Sequence, residues 1–548
     1  MKAGMFGAAI VLSAGLVVAL GAQVKTPLAP VKTDSGLVAG QVLASGVKAW
    51  LGIPYVKAPV QDLRWKAPQP ITWEGVYNAD RKMPECIQIL RPHDINHYFG
   101  EEASSENCLF MNIWAPATAT ASSNLPVVVF IYGGGSTVGS SGMALYGGEE
   151  VARRGAVFVN FNYRLGILGF MAHPELTAES GRNASGNWAY LDQVAALSWL
   201  KRNIAQFGGD PAKVVISGQS AGAGAVSLLQ ASPLATGLFR GVVAMSGGTW
   251  GQGGTGGTPR VEAEKVGLQI QSTLKVDSLA AMRQVPADRL LALQAETQLG
   301  ATGGGPIRAG ASIDGYFLPD TPAALFAAKR HSDVPVIAGF ANDESNNGLR
   351  AARTAAEYRA MVEKALGAQA AEFLTHYPAA TDAAVAEIAK ATAREGAVLR
   401  TARNWAVAQG KWSRSSTYIY NLVRVHPFNP QALASDRVDL IGAYHTSDVP
   451  YWFGTLDVFN MFRPTRLWQA YDRDLSQKMT SMLIAFANTG NPSAAGVTWP
   501  AWSATNEQLL EFGSSAIAAR PINGKRMDYR ATVATLPGAA PRNVTIRD

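Results

Sequence analysis

Ser220 stands in Gly218-Gln219-Ser220-Ala221-Gly222, the one G-x-S-x-G pattern in the 548-residue chain. A serine hydroxyl is a weak nucleophile until a neighbouring base takes its proton. Flanking glycines tolerate the torsions of a sharp strand-to-helix turn and let other backbone come close. The same small residues would also suit a tight helix–strand packing site, so the pattern needs partners. Four of the seven histidines follow Ser220: His331, His376, His426 and His445. His445 alone lies in a loop of small and polar residues, GAYHTSDVPYWFG (442–454), which makes it the candidate base. A histidine in that role needs a carboxylate to fix its tautomer and stabilise the imidazolium. Asp343 and Glu344, in ANDESNN (341–347), directly follow an apolar run, and either can serve. The three glycines of IYGGGS (131–136) expose backbone N–H groups that, with the N–H of Ala221, can hold a developing oxyanion. The chain has no G-x-x-x-x-G-K-[ST], and no lysine follows those glycines, so a phosphate loop is a poor reading of them.

These groups must be carried by a scaffold, and the spacing of apolar residues predicts one. Short runs rich in β-branched residues read as buried strands: LPVVVFIYGGG (125–135), AVFVNFNYR (156–164), KVVISG (213–218), GVVAMSGG (241–248) and VPVIAGF (334–340). Between them, residues 187–207 place Trp188, Leu191, Val194, Ala195, Leu197 and Trp199 near helical spacing. Strands apolar on both faces, alternating with helices, predict a large and mostly parallel sheet flanked by helices, an α/β fold. In such sheets the chemistry sits beyond the carboxyl ends of the strands. There the candidate serine, acid and glycine loop all fall. The tracts 251–310 and 350–415 read as helical insertions capping the sheet and its site.

The candidate groups occur in the order serine, acid, histidine, as in the α/β-hydrolases. Beyond them the chain resembles the type-B carboxylesterase/lipase family, the cholinesterase-like branch of that fold. The motifs that carry the resemblance are LGIPYVKAPVQDLRWKAPQP (51–70), SENCLFMNIWAP (105–116), IYGGG, NYRLGILGF (162–170), FGGDPAKVVISGQSAGAG (207–224), DES (343–345), YHTSDVPYWFG (444–454) and ANTGNPS (487–493). The resemblance implies an α/β-hydrolase fold whose helical insertions cap an active-site gorge. It implies Ser220 as nucleophile, Glu344 as acid and His445 as base. It further implies oxyanion donors at Gly134, Gly135 and Ala221, a Cys86–Cys108 disulfide, and no metal or cofactor. The chain departs from common family patterns at Gln219, where many members have Glu, and at Ser136, where many have an aromatic. These two, with Tyr98, Trp250 and Phe340, are the substrate-pocket candidates. Trp50 and Trp452 are further aromatics that a gorge could use.

Composition narrows the class. The chain is 47% hydrophobic and 16% charged, enough to bury a large core, and it carries a formal charge of +7. Its Lys and Arg residues are scattered, with no basic stripe interleaved with aromatics, which argues against a nucleic-acid partner. Residues 1–22 have the shape of a cleaved signal peptide: Lys2, an apolar run from Met5 to Leu20, then small residues. The expectation is a secreted or periplasmic protein with no stable membrane anchor, and with residues 23–548 as one catalytic domain. In an exported chain, the only two cysteines are expected to pair. Together these readings predict a carboxylic-ester hydrolase acting on a small-molecule ester. The alternatives are a non-catalytic binding or adhesion protein on the same fold, or a true lipase.

Overall fold

The computed structural model describes residues 26–89, 102–251, 256–298, 310–431, 441–533 and 536. The expected leader (1–22) and the pocket candidate Tyr98 lie outside the described residues. Twelve strands share one sheet: β1 Thr26–Pro27, β2 Gln41–Val42, β3 Lys48–Pro54, β4 Phe110–Ala115, β5 Leu125–Ile131, β6 Val157–Phe161, β7 Gly209–Gln219, β8 Gly241–Met245, β9 Val336–Ala341, β10 Thr417–Leu422, β11 Gln508–Phe512 and β12 Ile517–Pro521. Their order across the sheet is β1-β2-β3-β4-β6-β5-β7-β8-β9-β10-β11-β12. The seven strands from β6 to β11 in that order run parallel, and antiparallel pairs flank them on both sides.

Every residue of β6, β8, β9 and β10 is buried. Burial on both faces explains why these strands read as nearly unbroken apolar runs rather than alternating ones. Helices α1 Trp188–Asn203, α2 Ala221–Ala231, α3 Val398–Trp412 and α4 Ala470–Thr489 form beside the sheet. Of these, α2 packs on β7 and β8, α3 on β9 and β10, and α4 on β5 and β7.

The expected insertions separate into two kinds. Helices Arg260–Leu274, Leu279–Gln284 and Ala287–Gln298 build a satellite core with Trp65, Ile167, Met171 and Trp188. Helices Ala355–Leu366, Ala370–His376 and Asp382–Gly396 gather around Tyr358, Phe373 and Val385 in a third cluster that includes Val533 and Leu536. The end of the 350–415 tract departs from the expectation. Leu399, Ala402, Trp405 and Ala406 share one face of α3 and join the main core, so α3 covers the sheet rather than capping it.

Candidate active site

β7 ends at Gln219, and Ser220 turns the chain into α2 at φ 58°, ψ −120°. For a residue with a Cβ this is a sparsely populated conformation, costing about 1–3 kcal/mol. Close backbone packing over-determines it. A Cβ on Gly218 would lie 2.3 Å from Gly222 O, one on Gly222 2.0 Å from Ile131 O, and one on Gly247 2.5 Å from Ser220 O. The Ser220 N–H donates to Met245 O at 2.8 Å, tying the turn to the end of β8.

Parallel register brings the glycine loop alongside. Ile131 pairs with Gly218 across β5 and β7, so the chain leaving β5 runs past the turn. Gly133 lies closest, since a Cβ there would sit 2.9 Å from Ser220 Cβ and 2.3 Å from Gln219 O. Gly134 and Gly135 follow at φ 96° and 63°. Among the described residues, no backbone acceptor takes the N–H of Gly134, Gly135 or Ala221. Ala221 opens α2, where an N–H has no helical partner and the helix dipole presents its positive end. The glycine loop is braced from outside. Gly166 N–H donates to Ser136 O at 2.8 Å. Gln88 brackets Gly139, accepting from its N–H at 2.8 Å and donating to its carbonyl at 3.0 Å.

The two acids that the residue pattern left open take different places, and the one that contacts the histidine is Glu344, as the resemblance implied. Glu344 Oε2 lies 2.5 Å from His445 Nδ1, and its other oxygen accepts from Ala341 N–H at 3.1 Å. Asp343 instead accepts from Ala443 N–H at 2.9 Å and pairs with Lys390 at 2.9 Å, fastening the acid loop to the histidine loop. Behind that loop, His426 donates from Nε2 to Ser447 O at 2.8 Å and accepts at Nδ1 from Tyr444 OH at 3.0 Å. Burial, helped by the Arg466 charge, pushes His426 down to about 3, so this support stays neutral.

The Glu344 side chain is 2% exposed and that of His445 43%, which leaves one edge of the imidazole open. Burial pulls the His445 pKa down, but the hydrogen bond and charge of Glu344, then the charge of Asp448, outweigh it and hold it above 6.5. Asp448 is itself fully buried, and burial lifts it to about 6 although Tyr420 OH donates to it at 2.5 Å. On the elbow side, His445 Nε2 lies 3.2 Å from Gln219 Nε2.

A carboxylate-held imidazole beside the elbow of a strained serine, with N–H groups nearby that no backbone acceptor takes among the described residues, is equipped for acyl transfer. Residues 27–530 match the carboxylesterase family. Fumonisin B1 esterase of Sphingopyxis macrogoltabida is 32% identical over 501 residues, covering 90% of this chain and 88% of that protein. Para-nitrobenzyl esterase of Bacillus subtilis is 31% identical over 510 residues, covering 90% and 97%. A solved structure of PNB esterase aligns with TM-score 0.75 and 29% identity over 92% of this chain and 99% of its own. The chain belongs to the carboxylesterase family.

The central sheet of this carboxylesterase is the expected α/β-hydrolase sheet, and Cys86 and Cys108 are bonded, with Cα atoms 4.9 Å apart. Ser220, Glu344, His445, Gly134, Gly135 and Ala221 gather at the carboxyl ends of β5, β7 and β9. Gln219 and Ser136 border them, both with little exposure. Trp250 lies half-buried after β8, edge-on to Phe326 at 4.9 Å. Phe340 is a correction. It sits within β9 at 0% exposure, packed in the main core rather than facing the site. Trp50 and Trp452 are likewise buried core residues, Trp50 edge-on to Phe207 and Trp452 beside Tyr420 and Trp499. Sequence reasoning passed over Gln88 and Asp448, and it weighed His426 only as a base and set it aside. Asp448 lies inside the 442–454 stretch already singled out, but nothing in that stretch marked it as buried beside the base.

Proposed function

We propose that this carboxylesterase hydrolyses small carboxylic esters through an acyl-enzyme on Ser220. His445 Nε2 takes the Ser220 proton as Oγ attacks the ester carbonyl. The resulting oxyanion is met by the N–H groups of Gly134, Gly135 and Ala221. The imidazolium, stabilised by Glu344, then returns its proton to the leaving alkoxide, and an alcohol departs. Water, deprotonated by the same nitrogen, attacks the acyl carbonyl, and collapse releases the acid and restores Ser220. The observation that carries this reading is the 2.5 Å contact between Glu344 Oε2 and His445 Nδ1, which fixes Nδ1 as the protonated nitrogen and leaves Nε2 basic.

The experiment is hydrolysis of short and long nitrophenyl esters by wild type and Ser220→Ala. The variant should lose at least about 1,000-fold in kcat, because binding and the oxyanion donors alone retain only a residual rate. Equal activity in the two proteins would remove Ser220 from the chemistry. The neutral Gln219 beside the reaction centre also bears on substrate charge. It supplies no anion to attract a cationic ester, so the preferred substrates are neutral or acidic esters.

A further inference from the structure

The imidazole of His445 has two nitrogens, and the structure engages both. Nδ1 faces a carboxylate oxygen, which only accepts, so Nδ1 carries the hydrogen and Nε2 of the neutral ring is a lone pair. Against that lone pair, at 3.2 Å, stands the amide nitrogen of Gln219. Among the described residues no hydrogen bond joins the ring to Ser220 Oγ. The Gln219 amide sits over Gly133, where a Cβ would come within 3.2 Å of Oε1. The side chain is 1% exposed and held beside the ring.

We propose that Gln219 is a positioning residue for the base: its amide N–H holds Nε2 of the resting imidazole, and the same amide, turned over, presents its oxygen to the imidazolium. This inference rests on the acyl-transfer reading and deepens it. A primary amide carries donors and an acceptor in nearly the same shape, so one side chain can partner both protonation states. A carboxylate at that place could partner the imidazolium alone. The charged groups around His445 show what the neutrality of Gln219 preserves. Glu344 faces the ring from the loop after β9, with Asp343 behind it matched by Lys390. Asp448 approaches from the ring's own loop, with Tyr420 of β10 donating to it. Both carboxylates favour the charged ring. From the β7 elbow comes no ionisable group, so the pull toward imidazolium is confined to one side. Ser220 Oγ must displace an amide donor to reach the base, so the resting enzyme keeps its nucleophile unactivated.

The test is the pH profile of kcat/KM on a neutral nitrophenyl ester for wild type, Gln219→Glu, Gln219→Met and Ser220→Ala. Glutamate and imidazole would share one extra proton, which must leave before the base can act. The acidic limb of Gln219→Glu should therefore move up by about one pH unit or more. Gln219→Met, similar in size and uncharged, should keep its limb near that of wild type. A Gln219→Glu limb at the wild-type midpoint overturns the inference, and so does an equal displacement in Gln219→Met, which would assign the shift to packing. Full activity in Ser220→Ala would instead overturn the acyl-transfer reading, so the two failures are distinguishable.

Discussion

Two carboxylates reach His445 from different loops, and their environments set them apart. Glu344 meets the ring directly and is otherwise satisfied by backbone. Asp448 is fully buried and its Oδ1 has no hydrogen-bond partner among the described residues, so its negative charge is maintained at a cost that rises with pH. With its pKa lifted from 3.8 to about 6, stability is lost as pH climbs through that interval and stays lost above it. Asp448→Asn cannot ionise, and at pH 8 it should be more stable than wild type by up to about 3 kcal/mol, a gain that vanishes near pH 4. Urea melts at the two pH values measure this, and a loss at pH 8 would contradict it. The same substitution removes one of the charges holding His445 above 6.5. Activity needs the neutral ring, so the wild-type acidic limb should be centred above 6.5 and should move to lower pH in Asp448→Asn. Ser220 and His445 were legible because their neighbours are unusual. Asp448 was not, because Ser-Asp before VPYW reads as the start of a helix. Its burial depends on Tyr420, which arrives from a distant strand.

At the level of elements, the elbow works because β5, β7 and β8 end together and their backbones leave no room for side chains. Gly222 is the tightest point, as its missing Cβ would press on the Ile131 carbonyl, a backbone atom that cannot rotate away. Gly222→Ala should therefore cost several kcal/mol, with overpacking of about 1–3 kcal/mol as the lower bound. It should lower Tm and activity together. Gly224→Ala is its control, since no described atom beyond its own helix lies within 4 Å of its added Cβ and it should melt no lower than wild type. Equal melting of the two variants would remove steric contact as the reason for glycine at 222. The strands that build the elbow were readable, because burial on both faces makes them continuous apolar runs. The antiparallel β3, which only overlaps the start of the 51–70 motif, and β4, which lies within 105–116, had no comparable run. The residue pattern alone did not separate Asp343 from Glu344, and only the family resemblance pointed to Glu344. Successive residues after a strand point different ways, and only the 442–443 backbone shows which direction leads to the histidine.

Across the whole molecule, the Cys86–Cys108 bond does more than close a chain segment. Cys86 opens a short stretch in which Gln88 holds both the N–H and the carbonyl of Gly139, so the disulfide segment is stitched to the loop that carries Gly134 and Gly135. Cross-linking over a sequence separation of 22 restricts the unfolded chain by about 3 kcal/mol. Such structural bonds form and persist chiefly in oxidising compartments, so it and the leader-like residues 1–22 support the same proposal, that the protein is exported. When the full chain is expressed in an exporting bacterial host, the recovered protein should begin near residue 22 or 23 and its mass should show both thiols oxidised. Cys86→Ser/Cys108→Ser should unfold at lower urea. It should also lose more in kcat than in KM, because the loosened segment bears on the oxyanion donors rather than on substrate binding. A full-length product with free thiols would break the link between leader and disulfide. A double variant that melts like wild type would show that the bond leaves stability unchanged.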